Sequence, residues 1–237
     1  MVISTSRKKE LTSFVNALSL SIRDLALLQS ALTHGSYLKE HSIRKSKDLY
    51  DNERLEFFGD AVLKLFISEC LLFKYKDYSE GELSILRAYV VSEKILAKIA
   101  LKLSLNKYLL LGKNEKLSLP DSILADAVES LLAVIYFECG PDKTKEFILT
   151  NWMDFIELAD KSKTMDNYKA LLQEYTQANK SGLPLYKTLH ETGPDHKKEF
   201  EVAVYLNNKE LAKGKGKTKK SASQNAARNA LMSLSKI

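Results

Sequence analysis

The segment Asn52-Glu53-Arg54-Leu55-Glu56-Phe57-Phe58-Gly59-Asp60-Ala61-Val62-Leu63 constrains the fold more than any other. Its carboxylates Glu53, Glu56 and Asp60 fall at i, i+3 and i+7, within roughly 60° of one another on an α-helix. Leu55, Phe57, Phe58, Ala61, Val62, Leu63, Leu65 and Phe66 make nearly everything around them apolar. A helix this apolar is expected to bury most of its circumference and leave only a narrow strip for the acids. Stacked acids repel one another. Two readings account for them: a solvated acidic stripe, which is common on helices, or hard oxygen ligands gathered for a divalent cation such as magnesium or manganese.

A second segment tips the balance. In residues 123–136, Asp126 and Glu129 stand at i and i+3 in another strongly apolar helical pattern. Carboxylates on a buried helix are costly unless paired or bound to metal. Two such helices facing each other make one oxygen-lined pocket. On these two motifs the chain resembles the ribonuclease III family: the first segment is similar to its signature, and Ala125-Asp126-x-x-Glu129 to its partner motif.

At 237 residues there is room for one large or two modest domains. An apolar content of 45% fits a globular chain, and no apolar run approaches a membrane span. Arg7, Lys8 and Lys9 are not followed by the apolar core of a signal peptide. Cys70 and Cys139 lie in apolar helical patterns and read as reduced core residues. A cytoplasmic location is therefore expected, with no membrane partner and no small-molecule cofactor. Residues 1–165 carry 23 Lys+Arg and 23 Asp+Glu, whereas 166–237 carry 13 and 7, so the net charge of +6 belongs to the C-terminal part. A neutral body with a basic attachment suits a polyanionic partner.

Residues 10–32 show helical periodicity, followed by Thr33-His34-Gly35-Ser36-Tyr37, which resembles another family segment except that Gly35 stands where a basic residue is common. His34 reads as a hydrogen-bonded structural histidine in preference to a catalytic base. Residues 39–51 are polar and predict a loop. Ser79 and Glu82 have the spacing of a capping box at the start of a helix, in a segment that also resembles the family. Further helices are predicted over 92–101 and 143–158, with Trp152 as core packing, and no strand pattern occurs before residue 158. Residues 159–165 read as a linker.

The C-terminal part changes period. A helix over 168–180 precedes alternating strand patterns at 186–190, 198–206 and 210–215, with Asn207-Asn208 as a hairpin turn and a final helix opened by Lys217, Lys219 and Lys220. This α-β-β-β-α order resembles the double-stranded RNA-binding domain. Lysines at a helix N-terminus aim charge and free N–H groups together at phosphates.

The resemblance implies an all-α ribonuclease III catalytic domain at 1–158, a linker at 159–165 and an α+β double-stranded RNA-binding domain at 166–237. It implies a homodimeric Mg2+-dependent endoribonuclease, with Mn2+ as a possible substitute. Such an enzyme cuts double-stranded RNA to 5′-phosphate and 3′-hydroxyl ends with short 3′ overhangs, acting on ribosomal and messenger RNA precursors. Carried over by motif, Glu56, Asp60, Asp126 and Glu129 are metal ligands, with Asp60 and Glu129 catalytic. Glu53 is a supporting acid and Phe57 a dimer contact. Gln173, Glu174 and His196 face the minor groove, while Lys217, Lys219 and Lys220 face phosphates. The alternatives are a non-catalytic relative on the same fold and a generic RNA-binding adaptor. Retention of the four acids argues against both.

Overall fold

The computed structural model describes residues 3–42, 50–161, 168–179, 181–192 and 198–234. They fall into two compact units: Met1–Lys76 with Val90–Phe155, and Asp77–Tyr89 with Ile156–Ile237.

The first unit is helical. α1 (Thr5–Ala17) is capped by Ser4, whose hydroxyl accepts from the Arg7 N–H, and it buries Leu11, Phe14 and Val15. The helical pattern expected to run through 10–32 is broken after α1, because Ser19 takes a left-handed conformation (φ 54°). Asp24 then caps α2 (Leu25–Ala31), accepting from both Ala26 and Leu27 N–H groups at 2.9 Å. A left-handed residue and a helix cap thus override a continuous apolar period. His34 caps α3 (Gly35–Glu40). Of the loop expected at 39–51, residues 43–49 lie outside the described residues.

α4 (Glu53–Lys74) carries the first acidic strip and buries Leu55, Val62, Leu63, Phe66, Ile67 and Leu71. It is less buried than its composition predicts. Phe57 (81% exposed), Leu65, Leu72 and Phe73 point to solvent in the single chain. α6 (Glu93–Lys102) and α7 (Lys113–Leu117) follow, separated by a short 3₁₀ turn. α8 (Asp121–Lys161) carries the second acidic pair and is kinked at Gly140-Pro141. Gly140 adopts φ +82°, which L side chains rarely adopt, and Pro141 removes a backbone donor. Beyond the kink, Trp152 is fully buried and its indole N–H donates to the Val90 carbonyl at 3.1 Å. Truncating such a residue typically costs about 3–5 kcal/mol. Among the described residues before Lys161 the only β-pairing is an isolated bridge between Thr33 and Leu110. Cys70 and Cys139 are unpaired but only half-buried, so they are not core residues in the sense expected.

The second unit is a three-stranded antiparallel sheet in the order β1-β2-β3, β1 being Leu185–Thr192, β2 Glu199–Leu206 and β3 Lys209–Gly216. α9 (Tyr168–Ala178) precedes the sheet and α10 (Lys219–Leu234) lies over β2 and β3. Asn207 (φ 48°) and Asn208 (φ 64°) supply the two positive φ values that a type I′ hairpin demands. Val202 and Val204 alternate inward onto Ala222, Ala226, Ala227 and Ala230 of α10. This small-residue helix face lets α10 sit close, and Gly214 completes the approach: a Cβ there would overlap the Ala226 backbone nitrogen. α5 (Glu80–Val90) joins the same unit through Ile85, buried within that apolar cluster, and through a Glu82–Arg228 ion pair at 3.0 Å. The expected capping box is present: Ser79 N–H donates to the Glu82 carboxylate at 2.9 Å, and Glu82 N–H to the Ser79 hydroxyl at 3.4 Å.

Candidate active site and duplex-binding edge

Helices α4 and α8 are brought together at one point. A Cβ built on Gly59 would overlap the backbone carbonyl of Glu129, so only glycine allows the two acidic strips to meet backbone to backbone. Ser130 adds a polar tie. Its hydroxyl lies 2.7 Å from the Asp126 carbonyl and 3.2 Å from that of Asn52, the buried residue preceding α4. Asn52 N–H in turn donates to the Thr33 carbonyl at 3.0 Å.

The result is a convergence of Glu56, Asp126 and Glu129, each offering one carboxylate oxygen, all within 4.8 Å of one another. Burial is the main cause that pushes Glu129 up to about 8, with the charges of Asp60, Glu56 and Asp126 adding to it. Burial likewise lifts Glu56 to about 7, helped by Asp126, Glu53 and Asp60. Asp126 is raised by burial, with Glu93 adding and His34 opposing. Desolvated carboxylates that repel each other this strongly form a pocket short of positive charge. Their all-oxygen donor set suits magnesium or manganese. The residues present therefore fit a divalent cation.

Asp60 stands outside the converging three. Its carboxylate accepts from Lys64 Nζ at 2.7 Å, one turn along the same helix. Its charge still reaches Glu56 and Glu129. Glu53 is exposed at the start of α4 and contributes to the shift of Glu56. His34 serves as a helix cap, as expected of a structural histidine. Its Nδ1 accepts from the Ser36 N–H at 3.3 Å and pairs with the Ser36 hydroxyl at 2.8 Å. Ser36 Oγ also accepts from the Gly112 N–H at 2.9 Å. Phe57 is exposed next to a cluster in which Phe58 stacks on Phe137 at 4.7 Å and meets Tyr136 edge-on at 5.3 Å. Gly59, Ser130 and Lys64 were missed in the sequence. The Asp60–Lys64 spacing of i, i+4 could have flagged the last.

In the second unit, α10 begins with a Thr218–Ser221 capping box: Ser221 N–H donates to the Thr218 hydroxyl at 3.0 Å, and Thr218 N–H to the Ser221 hydroxyl at 3.1 Å. Lys217, Lys219 and Lys220 are exposed around this N-terminus. Asn225 and Asn229 donate to the Lys215 and Lys213 carbonyls at 2.8 and 2.7 Å, pinning the basic strand β3 to the helix. Gln173 and Glu174 are exposed on α9. His196 lies outside the described residues.

A helical domain with converging carboxylates, joined in one chain to an α-β-β-β-α module with a basic helix N-terminus, defines a nuclease equipped to hold RNA. Residues 24–156 match the Ribonuclease-III-like family model and residues 168–234 the double-stranded RNA binding motif. Ribonuclease 3 of Natranaerobius thermophilus is 44% identical over 232 residues, covering 96% of this chain and 98% of that protein. Ribonuclease 3 of Borreliella burgdorferi is 40% identical over 238 residues, covering 99% and 96%. The nuclease domain of ribonuclease III from Campylobacter jejuni superposes with a TM-score of 0.51 at 39% identity, over 59% of this chain and 96% of that domain. The chain belongs to the ribonuclease III family of double-strand-specific endoribonucleases.

Proposed function

We propose that this chain hydrolyses duplex RNA in a Mg2+-dependent reaction, with Mn2+ as a substitute, leaving 5′-phosphates, 3′-hydroxyls and short 3′ overhangs. The observation that carries this is the convergence of Glu56, Asp126 and Glu129 within 4.8 Å at the Gly59 crossing. In this reading those three carboxylates hold the cation, and a divalent ion supplies positive charge for the charge that develops on a phosphodiester undergoing displacement. Burial and mutual repulsion push Glu56 up to about 7 and Glu129 up to about 8, and a bound divalent ion would favour their ionised forms. Asp60, tethered to Lys64, is the further acid assigned to the metal site and to catalysis, and its charge reaches Glu56 and Glu129. Glu53 keeps a supporting place at the exposed end of the strip.

Two such chains work together in this proposal, each cutting one strand. The exposed Phe57, Leu65, Leu72 and Phe73 on α4 support a homodimer, since apolar surface of that extent marks an interaction face. The Campylobacter jejuni domain is itself described as having a region involved in dimer formation. Sedimentation at micromolar concentration is expected to give about twice the 26.8 kDa chain mass. Precursor ribosomal RNA and structured messenger RNA in the cytoplasm are the proposed substrates. No described helix is long and apolar enough to cross a membrane. Gln173, Glu174 and His196 are assigned to the minor groove, and Lys217, Lys219 and Lys220 to phosphates.

The test is direct. Purified protein is incubated with long duplex RNA in magnesium, in calcium and in chelator, and the product ends are mapped. Short duplexes with 5′-phosphates in magnesium alone are the expected result. Binding without cleavage in every condition would favour a non-catalytic relative.

A further inference from the structure

An acid of the C-terminal unit stands beside the lysine at the start of α10. Glu191, near the end of β1, is paired in register with Phe200 of β2, so the two side chains share a face of the sheet. Its Oε1 lies 3.2 Å from Lys198 Nζ and its Oε2 3.5 Å from Lys219 Nζ. The Lys219 ammonium also stands 5.5 Å above the Phe200 ring. Lys219 is therefore held in a cradle of one carboxylate and one aromatic face, at the helix N-terminus that the RNA-binding reading turns toward phosphate. The bond to Lys198 and the charge of Lys219 hold the Glu191 carboxyl below its usual range, so it is ionised at neutral pH. The group is solvent-exposed, where a salt bridge adds little stability. A stabilising role does not account for placing an acid here.

We propose that Glu191 is an internal rival of the RNA backbone: its carboxylate occupies Lys219 and Lys198 in the free protein and gives up Lys219 when a duplex phosphate arrives. The inference rests on the duplex-binding reading of Lys219 and deepens it. An ammonium has three donors and can turn from one oxygen to another, but carboxylate and phosphate a few ångströms apart repel each other. Glu191 thereby sets a threshold. A phosphate on Lys219 is held more weakly for it, and the loss is offset when Lys217 and Lys220 engage phosphates of the same duplex. The cost is electrostatic, so it belongs to low ionic strength and fades as the Debye length shortens.

The full chain is titrated onto a labelled duplex of about 20 base pairs, longer than the ~16 that one such domain spans. Chelator is present so that no strand is cut. Glu191→Gln is expected to tighten binding about threefold near 0.05 M salt, with the gain shrinking as salt rises toward about 0.3 M and a steeper salt slope than wild type. In a Lys219→Ala background the same substitution is expected to gain nothing. Unchanged or weaker binding by Glu191→Gln would overturn the rivalry and make the carboxylate a mere support for Lys219. A gain that survives in Lys219→Ala would overturn it too, since the effect would then be general charge. If wild type binds and Lys219→Ala binds equally well, the placement of the interface fails first, and the rivalry with it. Equal melting temperatures for wild type and Glu191→Gln are expected from the exposure of the site, and separate a binding effect from a folding one.

Discussion

The acidic pocket of the helical unit and the basic edge of the C-terminal unit both gather like charges, but by opposite means. At the pocket, backbone contact at Gly59 forces Glu56, Asp126 and Glu129 together in partly desolvated surroundings, which raises Asp126 and pushes Glu56 up to about 7 and Glu129 up to about 8. At the edge, Lys217, Lys219 and Lys220 stand in solvent around a capped helix end, where Lys219 leans on Glu191 and Phe200. The pocket stores repulsion that one small cation relieves, so it depends on geometry to a fraction of an ångström. The edge stores little, tolerates displacement, and is tuned by salt. One is suited to chemistry and the other to grip.

Gly59 is where the pocket is most easily disrupted. Gly59→Ala pushes a methyl into the Glu129 carbonyl, so α4 and α8 must separate. Cleavage is expected to vanish, with about 1–3 kcal/mol lost from stability as for other overpacked sites, while duplex affinity is retained. Denaturant melts and binding on the same preparation check this. The matching perturbation at the edge is the triple Lys217→Ala, Lys219→Ala, Lys220→Ala variant. Affinity for unrelated duplexes is expected to fall about 30-fold alike, with a salt slope flatter by about three phosphates. Loss confined to particular sequences would show that these lysines are not phosphate contacts.

For Glu129 and Glu56 the folded-state affinity for protons exceeds that of the unfolded chain. Their contribution is fully present below about pH 4.5 and is lost as pH rises through about 7 to 8. Melting temperature in chelator is therefore expected to be lower at pH 8.5 than at pH 6. Magnesium should close much of that gap, because the charge it adds stabilises the ionised forms. The smallest effect is expected at the cap of α10: Thr218→Ala should cost about 1 kcal/mol, read from denaturant melts.

Much of the site was legible because helical spacing alone puts Glu56 and Asp60, and separately Asp126 and Glu129, on common faces. The α-β-β-β-α order was equally legible, from a change of period and from Asn207-Asn208 at the turn. What periodicity does not encode is which backbone lies opposite. Gly59 reads as one more residue of an apolar helix until Glu129 is found against it. The same blindness hid the exposure of Phe57, Phe73 and their neighbours, since a pattern shows where apolar residues lie but not what covers them. It also hid the membership of α5, whose Ile85 serves the core of the C-terminal unit. The break between α1 and α2 was missed for a different reason. The local bonds of Asp24 and the left-handed Ser19 outweigh a period that runs on through both helices.

In the proposed mechanism the carboxylates cut and the lysines hold. Glu129→Gln tests it most directly, since the amide keeps the shape of the side chain and removes its charge. Cleavage of a long duplex in magnesium and affinity for the same duplex in chelator are measured on one preparation. A fall in cleavage of about a thousandfold or more, with affinity within about twofold of wild type, is the predicted result. Affinity that falls in step with cleavage, or cleavage that survives, would contradict it.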